Sequence, residues 1–196
     1  MDNQVKNIIA FDGIDYVNIP CAPMYYISKH GRVLSTYKGK HLLIKPRTNK
    51  YGYLFFNLVV ENKKKFFYVH ALMRYTYFTN AQRDEARPYS MHVNHIDGNK
   101  TNNELSNLEL VSMEENQRHY QIKNNPLGIG VTYHKRVKRY QAQIGVNNKR
   151  IHIGYYTTPN DAAAAYMDMF VLMGISDRYV ECTTEYKQAK ERAAAR

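Results

Sequence analysis

Cysteine is nearly missing from this chain of 196 residues: there are two, Cys21 and Cys182, far apart and without a CxxC spacing. One copy therefore cannot build a four-cysteine zinc site, and a disulfide framework is not expected. A reducing, intracellular setting fits such cysteine usage. Long apolar runs are also missing. No stretch comes near the roughly 18 consecutive apolar residues that cross a membrane as a helix. From Met1 to Asn18 the chain is mixed and carries Asp2, Asp12 and Asp15, so it does not read as a signal peptide.

The third shortage is local: negative charge. Lys and Arg total 28 against 17 Asp and Glu, a formal net charge of +11. Tyr16–Val60 holds seven Lys/Arg and no acid, and Leu127–Asn160 holds six and no acid. The acids gather between them, at Asp84, Glu85, Asp97, Glu104, Glu109, Glu114 and Glu115. This balance says nothing about fold. It favours a polyanionic partner, nucleic acid ahead of a membrane surface. Two basic binding segments flanking a central unit of different purpose is the simplest reading.

The first third reads as short strands. "MYYISKHGRVLST" alternates around a His30-Gly31 turn, and "HLLIKPR", "YGYLFFNLVV" and "KKKFFYVH" follow with near period-two patterning. Together they predict a small antiparallel sheet. From His70 to Phe78 the spacing turns helical, with Ala71, Leu72, Tyr75 and Phe78 able to share one face. "TNAQRDEARPYS", with its Pro88, reads as a loop.

The central stretch "HVNHIDGNKTNNELSNLELVSMEEN" predicts strand, turn-rich loop, strand and helix in about 35 residues. Ser112 with Glu115 matches the capping box that opens a helix, and Asn124-Asn125-Pro126 stops it. Phosphodiester cleavage needs an attacking water, a base for its proton, and positive charge at the phosphate and leaving oxygen. A neutral histidine suits the base role near neutral pH. A few oxygen ligands suffice for a magnesium ion, which keeps open positions for water and phosphate.

This stretch resembles the HNH nuclease motif, and more narrowly the ββα-metal site of phage and intron-encoded HNH homing endonucleases. His95, Asn107 and Asn116 stand at spacings of 12 and 9 residues, with the "HIDGNKTNN" loop and "NLE" strand start in place. The resemblance implies that His95 is the general base and that Asn107 braces the loop and helps fix the imidazole. It implies that Asn116 and Asn94 ligate one divalent ion, Mg²⁺ or Mn²⁺. Some family members carry Asp where this chain has Asn94, so a negative charge is missing from that position. His92 and His119 read as surface or DNA-facing residues rather than ligands. His70 is given no catalytic role, although it could pack under the site.

Beyond Pro126, "GVTYHKR", "RYQAQIGV" and "KRIHIGYY" predict three strands with a turn at Asn147-Asn148. A helix follows, with Thr158 as N-cap and Pro159 in its first turn, ending at Gly174. The tail "TEYKQAKERAAAR" has helix formers but little apolar periodicity, and is expected to be helical or frayed. Alternation puts Ala142, Ile144, Ile151 and Ile153 on one face. The other face offers Gln141, Gln143, Arg150 and His152, joined by Thr132 and His134, for base edges. Lys135, Arg136, Lys138 and Arg139 suit phosphates. Residues 128–175 resemble the APETALA/ethylene-response-factor DNA-binding domain, a three-stranded sheet on one helix. That family's sheet often uses tryptophan; this chain has none, and His152 occupies one such position. Residues 14–78 more loosely resemble the nuclease-associated modular domain. There Arg32, Lys45 and Arg47, with Lys38, Lys40 and Lys50 and interleaved tyrosines, suit a DNA backbone.

The expected architecture is α+β and multi-module. It comprises an N-terminal sheet and helix (1–80), an HNH ββα-metal unit (81–125), a three-stranded DNA-binding sheet packed on one helix (126–180) and a basic tail (181–196). The expected function is metal-dependent, site-specific cleavage of double-stranded DNA, one strand nicked by a monomer with no obligatory protein partner. The expected setting is the cytoplasm, that of a bacterial host if the gene is phage-borne. The alternative is a sequence-specific DNA-binding regulator with a silent HNH fold; an RNA-binding module lacks the expected aromatic motif.

Overall fold

The structure is a computed structural model that describes residues 7–78, 91–147 and 149–195. The chain divides into two compact units, Met1–Val111 and Ser112–Arg196. The architecture mixes helix and strand, with four small sheets and five α-helices among the described residues. None of those helices is long and apolar enough to cross a membrane.

In the first unit, β1 (Ile8–Phe11), β2 (Ile14–Ile19), β3 (Ala22–Ser28), β4 (Val33–Ser35) and β5 (Leu42–Ile44) form a five-stranded sheet in chain order. The β1–β2 hairpin is absent from the strand pattern expected above. It closes on Asp12 and Gly13, both at positive φ (51° and 72°), the geometry of the two-residue turn that matches strand twist. A second sheet joins β6 (Arg47–Thr48), β7 (Leu54–Val60) and β8 (Lys63–Tyr68), so the expected single sheet is two. Helix α1 (Val69–Tyr77) lies in the expected place and buries Val69, Leu72 and Met73 against Ile27, Phe56 and Leu58. The expected loop around Pro88 falls outside the described residues.

Next come β9 (Met91–His95) and β10 (Leu108–Ser112), paired as a two-stranded sheet. Leu108 is buried in the same core as α1 and β7, with Val93 and Leu105 packed against it. The hairpin's apolar side chains therefore gain most of their burial from the strands and helix that precede it, because two strands alone are marginal.

In the second unit, α2 (Met113–Asn124) opens on a complete capping box. The Ser112 hydroxyl accepts from Glu115 N–H (3.1 Å) while the Glu115 carboxylate accepts from Ser112 N–H (2.8 Å). β11 (Val131–His134), β12 (Arg139–Val146) and β13 (Lys149–Tyr156) form an antiparallel sheet. Helix α3 (Pro159–Leu172), N-capped by Thr158, packs Ala162, Tyr166 and Phe170 on Val131, Ala142 and Ile144. The expected turn residue Asn147 has φ 51°; Asn148 is outside the described residues. After α4 (Arg178–Glu181), the tail forms a helix, α5 (Thr184–Ala194), the first of the two expected alternatives. Its contacts explain the weak periodicity. Small Ala189 is buried, Tyr186 meets Phe170 edge-on, and Arg192 pairs with Asp168 at 2.7 Å.

Candidate active site and nucleic-acid surfaces

Asn94 and His95 end β9, both buried (7% and 6% exposed). The loop that follows is a lattice of amides centred on Asp97. Its Oδ1 accepts from Asn99 N–H (2.7 Å) and Asn107 Nδ2 (3.0 Å), and its Oδ2 accepts from Asn102 Nδ2 (2.7 Å). Burial opposes the charge on Asp97, but these bonds hold its carboxyl below the usual carboxylate range. Asn107 also donates to the Asn102 carbonyl (2.8 Å) and accepts from Asp97 N–H (3.0 Å). Gly98, at φ +76°, supplies the left-handed residue of the turn.

The side-chain bonds of Asn107 go to the loop, to Asp97 and the Asn102 carbonyl. The structure brings Asn103, not Asn107, to the imidazole. Asn103 is 4% exposed and its Oδ1 lies 3.2 Å from His95 Nε2. Asn103 Nδ2 donates to the Thr101 carbonyl (3.2 Å), so its oxygen is the atom that faces the ring. His95 Nε2 must then carry the hydrogen, and Nδ1 is the basic nitrogen. Burial lowers the His95 pKa; the Asn103 bond and Asp97 raise it, Lys100 lowers it, and the net is a value below the ordinary 6.5. The imidazole is therefore neutral at pH 7. Asn103 is the second of the paired asparagines in "NKTNN", which is the only mark it carries in the sequence.

Tyr53 and His70 flank this ring. The His70 centroid is 5.6 Å from that of His95 at a near-perpendicular angle, and His70 stacks on Tyr68 at 5.2 Å. Lys100 lies over the Tyr53 ring at 4.8 Å and donates to the Tyr51 carbonyl at 3.1 Å. The turn between β3 and β4 braces the loop from the N-terminal side. Leu105 N–H donates to the Lys29 carbonyl (2.8 Å), and His30 Nδ1 pairs with Glu104 (2.7 Å).

His70 Nδ1 is buried without a hydrogen-bond partner, and burial, then the neighbouring His95, push the His70 pKa down to about 4. The unfolded chain binds this proton near pH 6.5, so it gains protons first as pH falls. Stability of the first unit is thus complete above pH 6.5 and drains away between 6.5 and about 4. Urea unfolding at pH 5 is expected to read about 2 kcal/mol less stable than at pH 7. His70→Phe is expected to flatten that dependence, and an unchanged slope would remove His70 as its source.

On the paired strand, Glu109 Oε1 accepts from Asn94 Nδ2 at 2.7 Å. Asn116 stands half-buried early in α2, just after the capping box. His119, expected at the surface, is buried (5% exposed) and stacked on Tyr179 at 3.8 Å; the short α4 covers it.

The C-terminal sheet sets Thr132 opposite Gln141, His134 opposite Arg139 and Gln143 opposite His152. A register shift between Ala142 and Gln143 makes the expected strict alternation fail in β13. Ile153 joins the core, Ile151 is 37% exposed, and Tyr155 falls opposite Gln141. The polar face therefore gains an aromatic residue unforeseen from sequence. Tyr155 lies 5.5 Å from His134 and 4.7 Å from His152, and Gln141 Nε2 is 3.0 Å from His152 Nδ1. Lys135, Arg136, Arg139 and Arg150 are exposed around it. In the first unit Arg32, Lys45 and Arg47 are exposed, and Lys38 and Lys50 lie over Tyr37 (5.6 Å) and Tyr51 (5.0 Å).

Comparison with known proteins locates a match on the central stretch. Residues 87–118 match the sequence model of a family described as HNH endonuclease. A protein of Acanthamoeba polyphaga mimivirus, named as an uncharacterized HNH endonuclease, L245, is 38% identical over 96 residues. That alignment covers 49% of this chain and 27% of the viral protein, so the chain spans about a quarter of its relative's length. A solved structure described as DNA binding and cleavage by the HNH homing endonuclease I-HmuI aligns at 24% identity and a TM-score of 0.47, over 81% of this chain and 90% of that one. The matched residues 87–118 contain His95, Asn107 and Asn116.

Proposed function

We propose that this protein is a metal-dependent, site-specific DNA endonuclease of homing type that nicks one strand as a monomer. The observation that carries the reading is the His95–Asn103 pair: a buried, neutral imidazole with one nitrogen tied down and the other left basic. Asn94 and Asn116 would hold the ion. Their amide oxygens are hard donors of the kind that magnesium or manganese takes. When bound, such an ion supplies positive charge at the scissile phosphate and the leaving 3′ oxygen.

His95 Nδ1 takes a proton from water as its oxygen bonds to phosphorus. The bond from phosphorus to the 3′ oxygen breaks and that oxygen takes a proton from solvent, leaving 5′-phosphate and 3′-hydroxyl ends. Asn103 keeps Nδ1 aimed at that water. Asn107 and Asp97 hold the loop on which this aim depends. The expected division of labour is cutting by 81–125, with binding by 1–80 and 126–180, on both sides of the cut.

Plasmid nicking with magnesium or manganese tests the reading; tight DNA binding with no cutting in either metal would favour a silent regulator. Catalysis needs neutral His95, so the rate is expected to fall only as pH drops through a midpoint below 6.5. Asn103→Ala removes a bond that raises the His95 pKa, so that midpoint moves lower still. The plateau rate drops about 10–100-fold through misaimed Nδ1; a plateau equal to wild type would sink the role of Asn103. On the C-terminal face, Gln143→Ala with Arg150→Ala is expected to weaken site-specific binding by about tenfold or more while sparing nonspecific cutting. Unchanged affinity in a gel-shift titration would remove that face from recognition.

A further inference from the structure

Two amide oxygens make a poor cation site, because a neutral donor does not offset the cost of dehydrating a divalent ion as a carboxylate does. The central stretch nevertheless places a carboxylate within one hydrogen bond of Asn94. Glu109 lies on β10, and Ile96 N–H donating to the Asn107 carbonyl (2.9 Å) closes the hairpin in the register that sets Glu109 beside Asn94. Glu109 Oε1 accepts from Asn94 Nδ2 at 2.7 Å. An amide has one donor and one acceptor end, so this bond fixes which way Asn94 faces, with Nδ2 on Glu109 and Oδ1 turned away from it. Asn94, at 7% exposure, adjoins the buried base His95, and Glu109 is half-buried.

We propose that Glu109 is the charged member of the cation site, a positioning residue that presents Asn94 Oδ1 to the ion and supplies the negative charge that asparagine lacks. This rests on the reading of Asn94 as a ligand. The arrangement splits between two strands what a single aspartate would do at position 94. It also accounts for the pairing of types. With Asp at 94, Glu109 at 2.7 Å would be a second carboxylate at contact distance, and one of the two would have to hold a proton. With Asn at 94, an amide N–H donates to the carboxylate instead and the repulsion does not arise.

The test is manganese binding to the full chain, read by the loss of the free-ion electron paramagnetic resonance signal, without DNA and without turnover. Glu109→Gln keeps the shape and an acceptor for Asn94 but loses the charge. It is expected to weaken Mn²⁺ binding about tenfold or more. Asn94→Asp in the Glu109→Gln background returns one carboxylate to the site and is expected to restore affinity to within about threefold of wild type. Melting of each variant is followed in parallel. Glu109→Gln binding Mn²⁺ as wild type overturns the proposal, and so does a loss that Asn94→Asp leaves unrestored. If instead wild type binds no Mn²⁺ and cuts DNA without it, the metal-dependent reading itself fails, an outcome distinct from both.

Discussion

Replacing His95 with alanine is expected to lower metal-dependent nicking by about 10²–10⁴-fold, the range a positioned general base contributes. The substitution removes Nδ1, the proposed base, while the proposed ion ligands and DNA-binding faces stay in place. Affinity for DNA is therefore expected to be unchanged, and the loss to fall on the cutting rate. Alanine also leaves Asn103 Oδ1 buried without its partner, at about 1–3 kcal/mol, so unfolding must be followed alongside. His95→Gln separates the two effects. A glutamine amide can still donate toward Asn103 but is no base, so it is expected to recover stability and not activity. A His95→Ala protein that cuts like wild type would remove His95 from catalysis.

Much of the site was readable because its signals are local. Ser112 and Glu115 cap α2 through bonds three residues apart, and Pro159 after Thr158 starts α3 where a missing N–H costs nothing. The placing of His95 at a strand end followed from alternation and from the turn chemistry of Asp97-Gly98-Asn99. What was not readable depends on how side chains converge. The loop from Ile96 to Asn107 holds several amides, and only its folded path decides that Asn107 turns to Asp97 while Asn103 turns to the imidazole. Tyr155 reaches the polar face only because the register shifts between Ala142 and Gln143, and a period of two cannot show a bulge in advance. The order in α5 comes from a small residue, Ala189, in a tertiary contact that no apolar stripe marks. The β1–β2 hairpin is different: Asp12-Gly13 between apolar alternations was a sufficient signal, and a polar N-terminus obscured it.

Asp177→Ala is expected to destabilise the second unit by about 3–5 kcal/mol, the cost of leaving a buried charge without its partner. Asp177 is 2% exposed, and its Oδ2 accepts from Arg118 Nε at 2.6 Å. Its Oδ1 accepts from the N–H groups of Tyr179 (3.0 Å) and Val180 (3.4 Å), capping α4. Arg118 is itself 8% exposed, with its guanidinium over the Phe170 ring at 5.8 Å, so it cannot rehydrate without opening the core beneath α3. Asp177→Asn keeps the cap and much of the shape but not the charge, and is expected to fall between wild type and alanine. Arg118→Met with Asp177→Leu removes both charges and is expected to lose less than Asp177→Ala alone, because no ion is then stranded. Urea unfolding of the four proteins gives the comparison, and an Asp177→Ala loss below about 1 kcal/mol would place the pair with exposed ion pairs. The consequence reaches the proposed chemistry through α2, since Arg118 and Asn116 share that helix. A helix released from α4 would hold Asn116 less firmly, so Asp177→Ala is expected to raise the Mn²⁺ concentration needed for half-maximal nicking, whereas His95→Ala leaves that concentration unchanged and lowers the maximal rate.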